Sequence, residues 1–277
     1  MSLTDRALWI IERNLGAPLS LAGLAEACAV TRFHLAHAFG DVTGYSVMEY
    51  VRLRRLTESA KLLAGGAGSI LQVALDSGYG SHEAFTRAFR ARFSVTPERY
   101  RSDGPPARDA LVEPLAIVAR PEGRLPTVRI LEAPAFLALG LVETHAFGEV
   151  TRIPAQWRVF GPQIETIPDR IGPAPLGLML EIEDDGRFSY ACAVEVADID
   201  RPPPGLRRLR VPAQTYAVFR HLGHVSELRQ TYAAIFDRWF PAKGEKLAPG
   251  PVLERHDPRF DVKTGRGGLE IWAPLAR

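Results

Sequence analysis

The chain has 277 residues, 34 basic and 32 acidic side chains, a net charge of +2, and a 46% hydrophobic, 24% charged composition. That length suits two ordinary domains, and no run approaches the ~20 apolar residues needed to cross a bilayer. Two cysteines, Cys28 and Cys192, are too few and too far apart for a disulfide framework or a metal cluster, which fits a reducing cytoplasm. Residues 1–104 hold 12 of the basic and 10 of the acidic side chains, so any cationic surface has to come from placement.

The opening MSLTDRALWIIERNL carries charge inside its apolar pattern and reads as a helix, Thr4 to Leu15, of the folded domain, with no secretory core. Ser20 caps a short helix whose Leu21, Leu24 and Ala25 face inward. Ala27 to Val30 make a turn, Thr31 caps a second helix carrying Leu35 and Phe39 inward, and Gly40 to Gly44 break it. A long helix over Ser46–Leu63 follows, about 27 Å at ~1.5 Å per residue. The scheme then recurs. Ser69 caps a helix with Ile70, Val73 and Ala74 inward, Gly78 permits the turn, and Ser81 caps a last helix with Phe85, Ala88 and Phe89 inward. Two helix-turn-helix units on one long helix can meet successive faces of a duplex whose turn is about 34 Å.

SLAGLAEACAVTRFHLAHAFGDVTG, YVRLRRLTESAKLL and SILQVALDSGYGSHEAFTRAFRARFSVTPERYR together resemble the DNA-binding domain of the AraC/XylS family of transcription regulators. The resemblance spans residues 4–101 and implies that the helices near 31–39 and 81–92 enter adjacent major-groove segments of double-stranded DNA. The implied contact set is Arg32, Phe33, Ala36 and His37 in the first unit, and Ser81, His82, Glu83, Thr86, Arg87 and Arg90 in the second. The first set departs from the family. Ala36 and His37 replace longer Gln- and Arg-like side chains, and Ala36 offers only a methyl to thymine. Ala29 and Ser94 stand where the family usually has glycine.

Ser102 to Arg108, with DGPPAR, is a boundary signal. The expected division is a DNA-binding domain over 1–104, a connector over 105–125, and a second domain over 126–277. In that domain VRILEAPAFLALGLVETH reads as two strands meeting at Ala133–Pro134, followed by a helix near 154–167. The strands GLMLEIED and RFSYACAVEV come next, turned at Asp184–Gly186. RRLRVPAQTYAVFRHLG restates the strand–proline–strand pattern 78 residues on. The helix VSELRQTYAAIFDRWF and the strands PVLERH and GLEIWAPL complete it. The expected fold is therefore an all-α double helix-turn-helix domain followed by an α+β domain of two tandem β-β-α-β-β halves.

A cleft between such halves is a usual small-ligand site. Glu270 and Trp272 share one strand face by alternation, and a glutamate among aromatic rings suits a cationic ligand. Trp157, Tyr190 and Glu254 are further candidates, although each of these side chains can also be packing or surface. VRILEAPAFLALG, Trp157, LRVPAQTYAVFRHLG, SELRQTYAAIFDRWF, VLERHDPRF and LEIWAPL resemble the GyrI-like effector-binding domain. That resemblance implies a bacterial sensor of bulky hydrophobic or cationic compounds, with Glu270, Glu254, Trp157 and Tyr190 at ligand-contacting positions. The expectation is a cytoplasmic, effector-responsive DNA-binding regulator. It is no enzyme, needs no metal or cofactor, has RNA polymerase as a further partner, and leans toward a monomer. Two alternatives remain for the second domain: a hydrolase with Glu270 or Glu254 as general base, or a ligand-free partner surface.

Overall fold

The computed structural model describes residues 2–66, 69–104, 110–115, 127–147, 152–172, 174–183, 185, 187–200, 202–257, 259–261 and 264–277. The described residues up to Asp103 form helices joined by short turns, and each helix starts where a hydroxyl side chain can accept an orphan N–H. Ser2 opens α1 (Leu3–Arg13) in a capping box with Asp5. Ser20 and Thr31 cap α2 (Leu21–Ala27) and α3 (Arg32–Thr43). Ser46, boxed with Glu49, starts the long α4 (Val47–Ala64). Ser69, Ser81 and Thr96 cap α5 (Ile70–Asp76), α6 (His82–Phe93) and α7 (Pro97–Asp103). Gly40 does not break α3 as the sequence suggests; the helix runs on to Thr43 and ends at Gly44, whose φ of 86° suits glycine.

Among the described residues the second domain forms an eight-stranded antiparallel sheet with helices on one face. Its strands are β1 (Val128–Ala133), β2 (Phe136–His145), β3 (Leu176–Ile182), β4 (Phe188–Val196), β5 (Arg207–Val211), β6 (Gln214–His221), β7 (Val252–His256) and β8 (Leu269–Pro274). They lie in the order β1-β6-β8-β7-β3-β4-β2-β5. Strands flanking each proline turn do not pair with each other: β1 pairs with β6, and β5 with β2. Between β2 and β3 runs α8 (Ile153–Phe160), which tightens to a 3-10 turn over Gly161–Thr166. Pro162 has no N–H to continue the α ladder there. Between β6 and β7, α9 (Leu228–Ala233) passes through a π-helical turn, Ala234–Trp239, into α10 (Phe240–Lys243). The turn expected at Asp184–Gly186 has both ends outside the described residues, and of the expected connector only 110–115 is described. That piece is stitched to the helices: Arg54 donates to the Val112 carbonyl at 2.8 Å, and Val112 N–H to Thr57 Oγ1 at 2.9 Å.

One apolar core crosses the domain boundary. Leu8, Leu35, Ala36 and Phe39 from the helical domain belong to the same cluster as Phe147, Phe188, Tyr190, Tyr232, Phe236 and Phe240 from the second. A separate cluster, with Leu178, Ala191, Val218, Leu253 and Trp272, lies on the other face of the sheet. Among the described residues no helix is long and apolar enough to cross a membrane.

Candidate functional site

The two helix-turn-helix units are built alike and presented differently. In α6, Phe85, Phe89 and Phe93 are buried, while Glu83, Arg87 and Arg90 are exposed. Ser81 spends its hydroxyl on the Ala84 N–H, and half-buried His82 meets Glu98 at 3.2 Å. The Thr86 hydroxyl is buried with no hydrogen-bond partner among the described residues. A helix with exposed Arg87 and Arg90 can meet phosphates and base edges directly.

In α3 the matching face is covered. Arg32 is exposed and Phe33 is half-buried, but Ala36 and His37 are 0% exposed. The expectation that Ala36 and His37 face a DNA groove is corrected for this arrangement: both are covered by the second domain. His37 stacks on Tyr232, with ring centres 5.8 Å apart at 20°, and meets Phe147 edge-on at 5.2 Å. Phe147 reaches α3 because Gly40 has no side chain; a Cβ there would stand 2.4 Å from Phe147 Cδ1.

Polar bonds hold the same seam. Arg229 donates to the Asp41 carbonyl at 2.7 Å and the Gly40 carbonyl at 3.1 Å, satisfying the last turn of α3 with a cation, as a helix C-terminus favours. Thr4 donates through its N–H (3.0 Å) and hydroxyl (2.8 Å) to Asp237 Oδ1. The Phe236 carbonyl sits in the π-helical turn. Its π partner would be residue 241, a proline without an N–H, and the Phe240 N–H bonds Ile235 instead. His34 Nε2 fills that gap at 2.6 Å. A carbonyl only accepts, so Nε2 carries the proton. Burial pushes the His34 pKa down to about 4, which keeps the ring neutral near pH 7.

Beneath α3 the sheet supplies an acid. Glu254 of β7 is 8% exposed and accepts Tyr190 Oη at 2.6 Å and Tyr232 Oη at 2.7 Å. Trp157 Nε1 of α8 donates to Tyr190 Oη at 3.2 Å, and its ring meets His256 edge-on at 5.2 Å. Gly177 of β3 leaves the room, since a Cβ there would lie 2.2 Å from Tyr190 Oη. Burial, then the Glu254 charge, raise both tyrosine pKa values well above the usual phenol range, so both remain donors at neutral pH. Trp157, Tyr190 and Glu254 thus come together as a site. Tyr232, His256 and Gly177 belong to it and were missed. In the sequence Tyr232 stands within the helix VSELRQTYAAIFDRWF, where an aromatic residue reads first as packing.

Glu270 and Trp272 do not join them. Directly opposed cross-strand residues share a face, and Glu254 opposes Ile271 while Arg255 opposes Glu270. Glu270 and Trp272 therefore lie on the sheet face away from the helices. There Glu270 accepts two 3.1 Å bonds from Arg129 and one of 3.0 Å from Trp272 Nε1. Arg255 lies near the Phe136 and Trp272 rings, at 5.3 and 4.7 Å. Alternation correctly put Glu270 beside Trp272; it does not say which side of the sheet the helices cover. Among the described residues no group of His, Cys, Asp and Glu could hold a metal ion.

Residues 126–276 match the family model of the GyrI-like small molecule binding domain, and residues 24–103 match a helix-turn-helix domain model. The transcriptional regulator Rob of Salmonella typhimurium is 28% identical over 273 residues, 95% of this chain and 92% of Rob. The multiple antibiotic resistance protein MarA of Escherichia coli is 35% identical over 105 residues, 38% of this chain and 83% of MarA. The solved structure of SAV2435 bound to tetraphenylphosphonium covers 54% of this chain and 94% of that one, with 19% identity and a TM-score of 0.46.

Proposed function

We propose a division of labour for this chain, which belongs to the GyrI-like small-molecule binding family and to the AraC-type DNA-binding transcription regulators: α6 reads DNA, and the second domain takes an effector at Glu254. The observation that carries the first half is the exposed α6 face, with Arg87 and Arg90 turned to solvent while its phenylalanines hold the core. For the second half, a carboxylate among Trp157, Tyr190, Tyr232 and His256 suits a hydrophobic aromatic cation by charge and by ring faces.

Residues 1–104 are the DNA-binding domain, 105–125 the connector and 126–277 the effector domain. The mirrored strand order supports two β-β-α-β-β halves that exchange their first strands. With α6 exposed and the outer face of α3 covered, a monomer can occupy an asymmetric site through α6, and regulation proceeds in the cytoplasm through contact with RNA polymerase. The second domain binds its compound without turning it over: Glu254 already accepts two phenols, and Glu270 is tied to Arg129. The space above Glu254 is filled, but by a helix of the other domain, which favours a closed sensor over an inert partner surface.

Footprinting against random competitor DNA tests the first half; protection of no preferred sequence overturns it. Fluorescence anisotropy of rhodamine 6G, an aromatic monocation, tests the second. Binding that survives unchanged in Glu254→Gln removes Glu254 from the role.

A further inference from the structure

We propose that α3 has exchanged a DNA-reading face for a plug: its Ala36–His37–Gly40 surface occupies the effector cleft, so that effector and α3 compete for one space and effector binding releases α3. The proposal rests on the reading of Glu254 as the effector acid.

The competition follows from the order of layers. Tyr232 lies between α3 and Glu254, stacked on His37 through its ring and bonded to the carboxylate through its hydroxyl. The same ring stacks on Phe236 at 5.8 Å and 22°, so it is clamped from both domains. Phe147 and Phe188 close the cleft against His37 from the strand side. An aromatic ligand reaching Glu254 past Tyr232 must take the place of the His37 ring.

The composition of α3 fits this role. Fifty residues on, α6 has Thr86, Arg87 and Arg90 where α3 has Ala36, His37 and Gly40. A long cation at position 40 would collide with Phe147. The seam is also poised to open. Both ring nitrogens of buried His37 and Oδ2 of Asp41 lack a hydrogen-bond partner among the described residues, and Nδ1 stands 3.7 Å from Asp41 Oδ2, too far for one. Undocking gives those atoms water, while the Leu35 and Phe39 contacts that hold α3 in its own domain stay intact.

The test uses the full chain in two forms. The ideal Gly40 Cβ lies 3.0 Å from Phe147 Cβ, somewhat closer than the ~3.5–4.5 Å a disulfide spans, so with a small local adjustment Gly40→Cys with Phe147→Cys locks α3 in place when oxidised. Gly40→Lys forces it out. Rhodamine 6G anisotropy is read on wild type, on the locked form before and after reduction, and on Gly40→Lys. The expected result is at least 10-fold tighter binding by Gly40→Lys than by wild type, and a loss of binding in the locked form that reductant restores. Equal affinity in all forms overturns the plug. Failure of the disulfide to form, with both thiols labelled at once by a maleimide in the folded chain, overturns the docking by itself. A disulfide that forms while no form binds the probe overturns the effector reading, and the competition with it.

Discussion

α3 and α6 are the same device in backbone and opposite devices in surface. Each begins on a capped hydroxyl, Thr31 or Ser81, and each ends on a left-handed residue, Gly44 or Ser94. Each buries an aromatic-rich ridge, with Leu35 and Phe39 in one and Phe85 and Phe89 in the other. What differs is the outer face. In α6 it carries arginines and meets solvent; in α3 it carries Ala36, His37 and Gly40 and meets another domain. The inward residues are enough to keep the helix-turn-helix folded, so the outward ones are free to serve a different partner.

The sharpest break of that comparison is in DNA binding. Replacing Arg87 and Arg90 together with alanine removes two charge-assisted contacts, each worth about 2 kcal/mol. The expected loss is about 1000-fold in affinity for the preferred site, with a shallower salt dependence. Ala36→Ser with His37→Asn, in the covered helix, should leave affinity within about threefold. Gel-shift titrations at several salt concentrations measure both; a larger loss from the α3 pair would make α3 the reader.

A second test asks whether the α3 seam is held by a neutral histidine. His34 has its pKa lowered from 6.5 to about 4 by burial, with the Phe236 carbonyl and the nearby His37 as smaller influences. A base lowered by folding is neutral in both states above pH 6.5 and contributes fully there. As pH falls from 6.5 toward 4 the unfolded chain takes up the proton first, and stability is lost. The loss is on the order of 3 kcal/mol over that window. Asp41 acts in the opposite direction, since burial raises its carboxyl pKa. Urea denaturation is therefore compared with His34→Asn, whose slope over this window should be flatter; equal slopes would show that His34 does not carry the effect.

The two glutamates of the second domain extend the contrast from helices to sheet faces. Tyr232→Phe removes a donor from buried Glu254 and should cost about 2 kcal/mol in thermal unfolding. Arg129→Ala breaks an ion pair whose arginine is 60% exposed, and should cost no more than about 0.5 kcal/mol. Similar costs would mean that Glu254 is not sealed. This pair also marks how far the sequence could be read. Caps, turns, the two units and the strand–proline–strand pattern were legible because each depends on a few neighbouring residues. The side on which Glu270 points was not, because period-2 alternation leaves the covered face undefined until the helices are placed. The docking of α3 was not either: its partners, Phe147, Tyr232 and Phe236, lie more than 100 residues away. What could be read was a departure, with Ala36 and His37 in place of the longer Gln- and Arg-like side chains usual in the resembled family, and in the structure both residues are covered by the second domain.

The smallest expected effect returns to the backbone that the two units share. Each unit needs two left-handed residues, one in its turn and one at its end, and each has glycine at only one of them. The first unit has Ala29 at φ 57° in the turn and Gly44 at the end; the second has Gly78 in the turn and Ser94 at φ 63° at the end. A side chain in that region costs roughly 1–2 kcal/mol, part of which glycine gives back through its freer unfolded chain. Ala29→Gly and Ser94→Gly should therefore each stabilise the chain by about 1 kcal/mol, read as a rise in the urea midpoint at constant slope. Neither residue lies on the seam or the exposed arginine face, so docking and DNA affinity should not change. If Ala29→Gly alters rhodamine 6G binding while Ser94→Gly does not, the turn of the first unit is part of the plug, and α3 and α6 differ in backbone function as well as in surface.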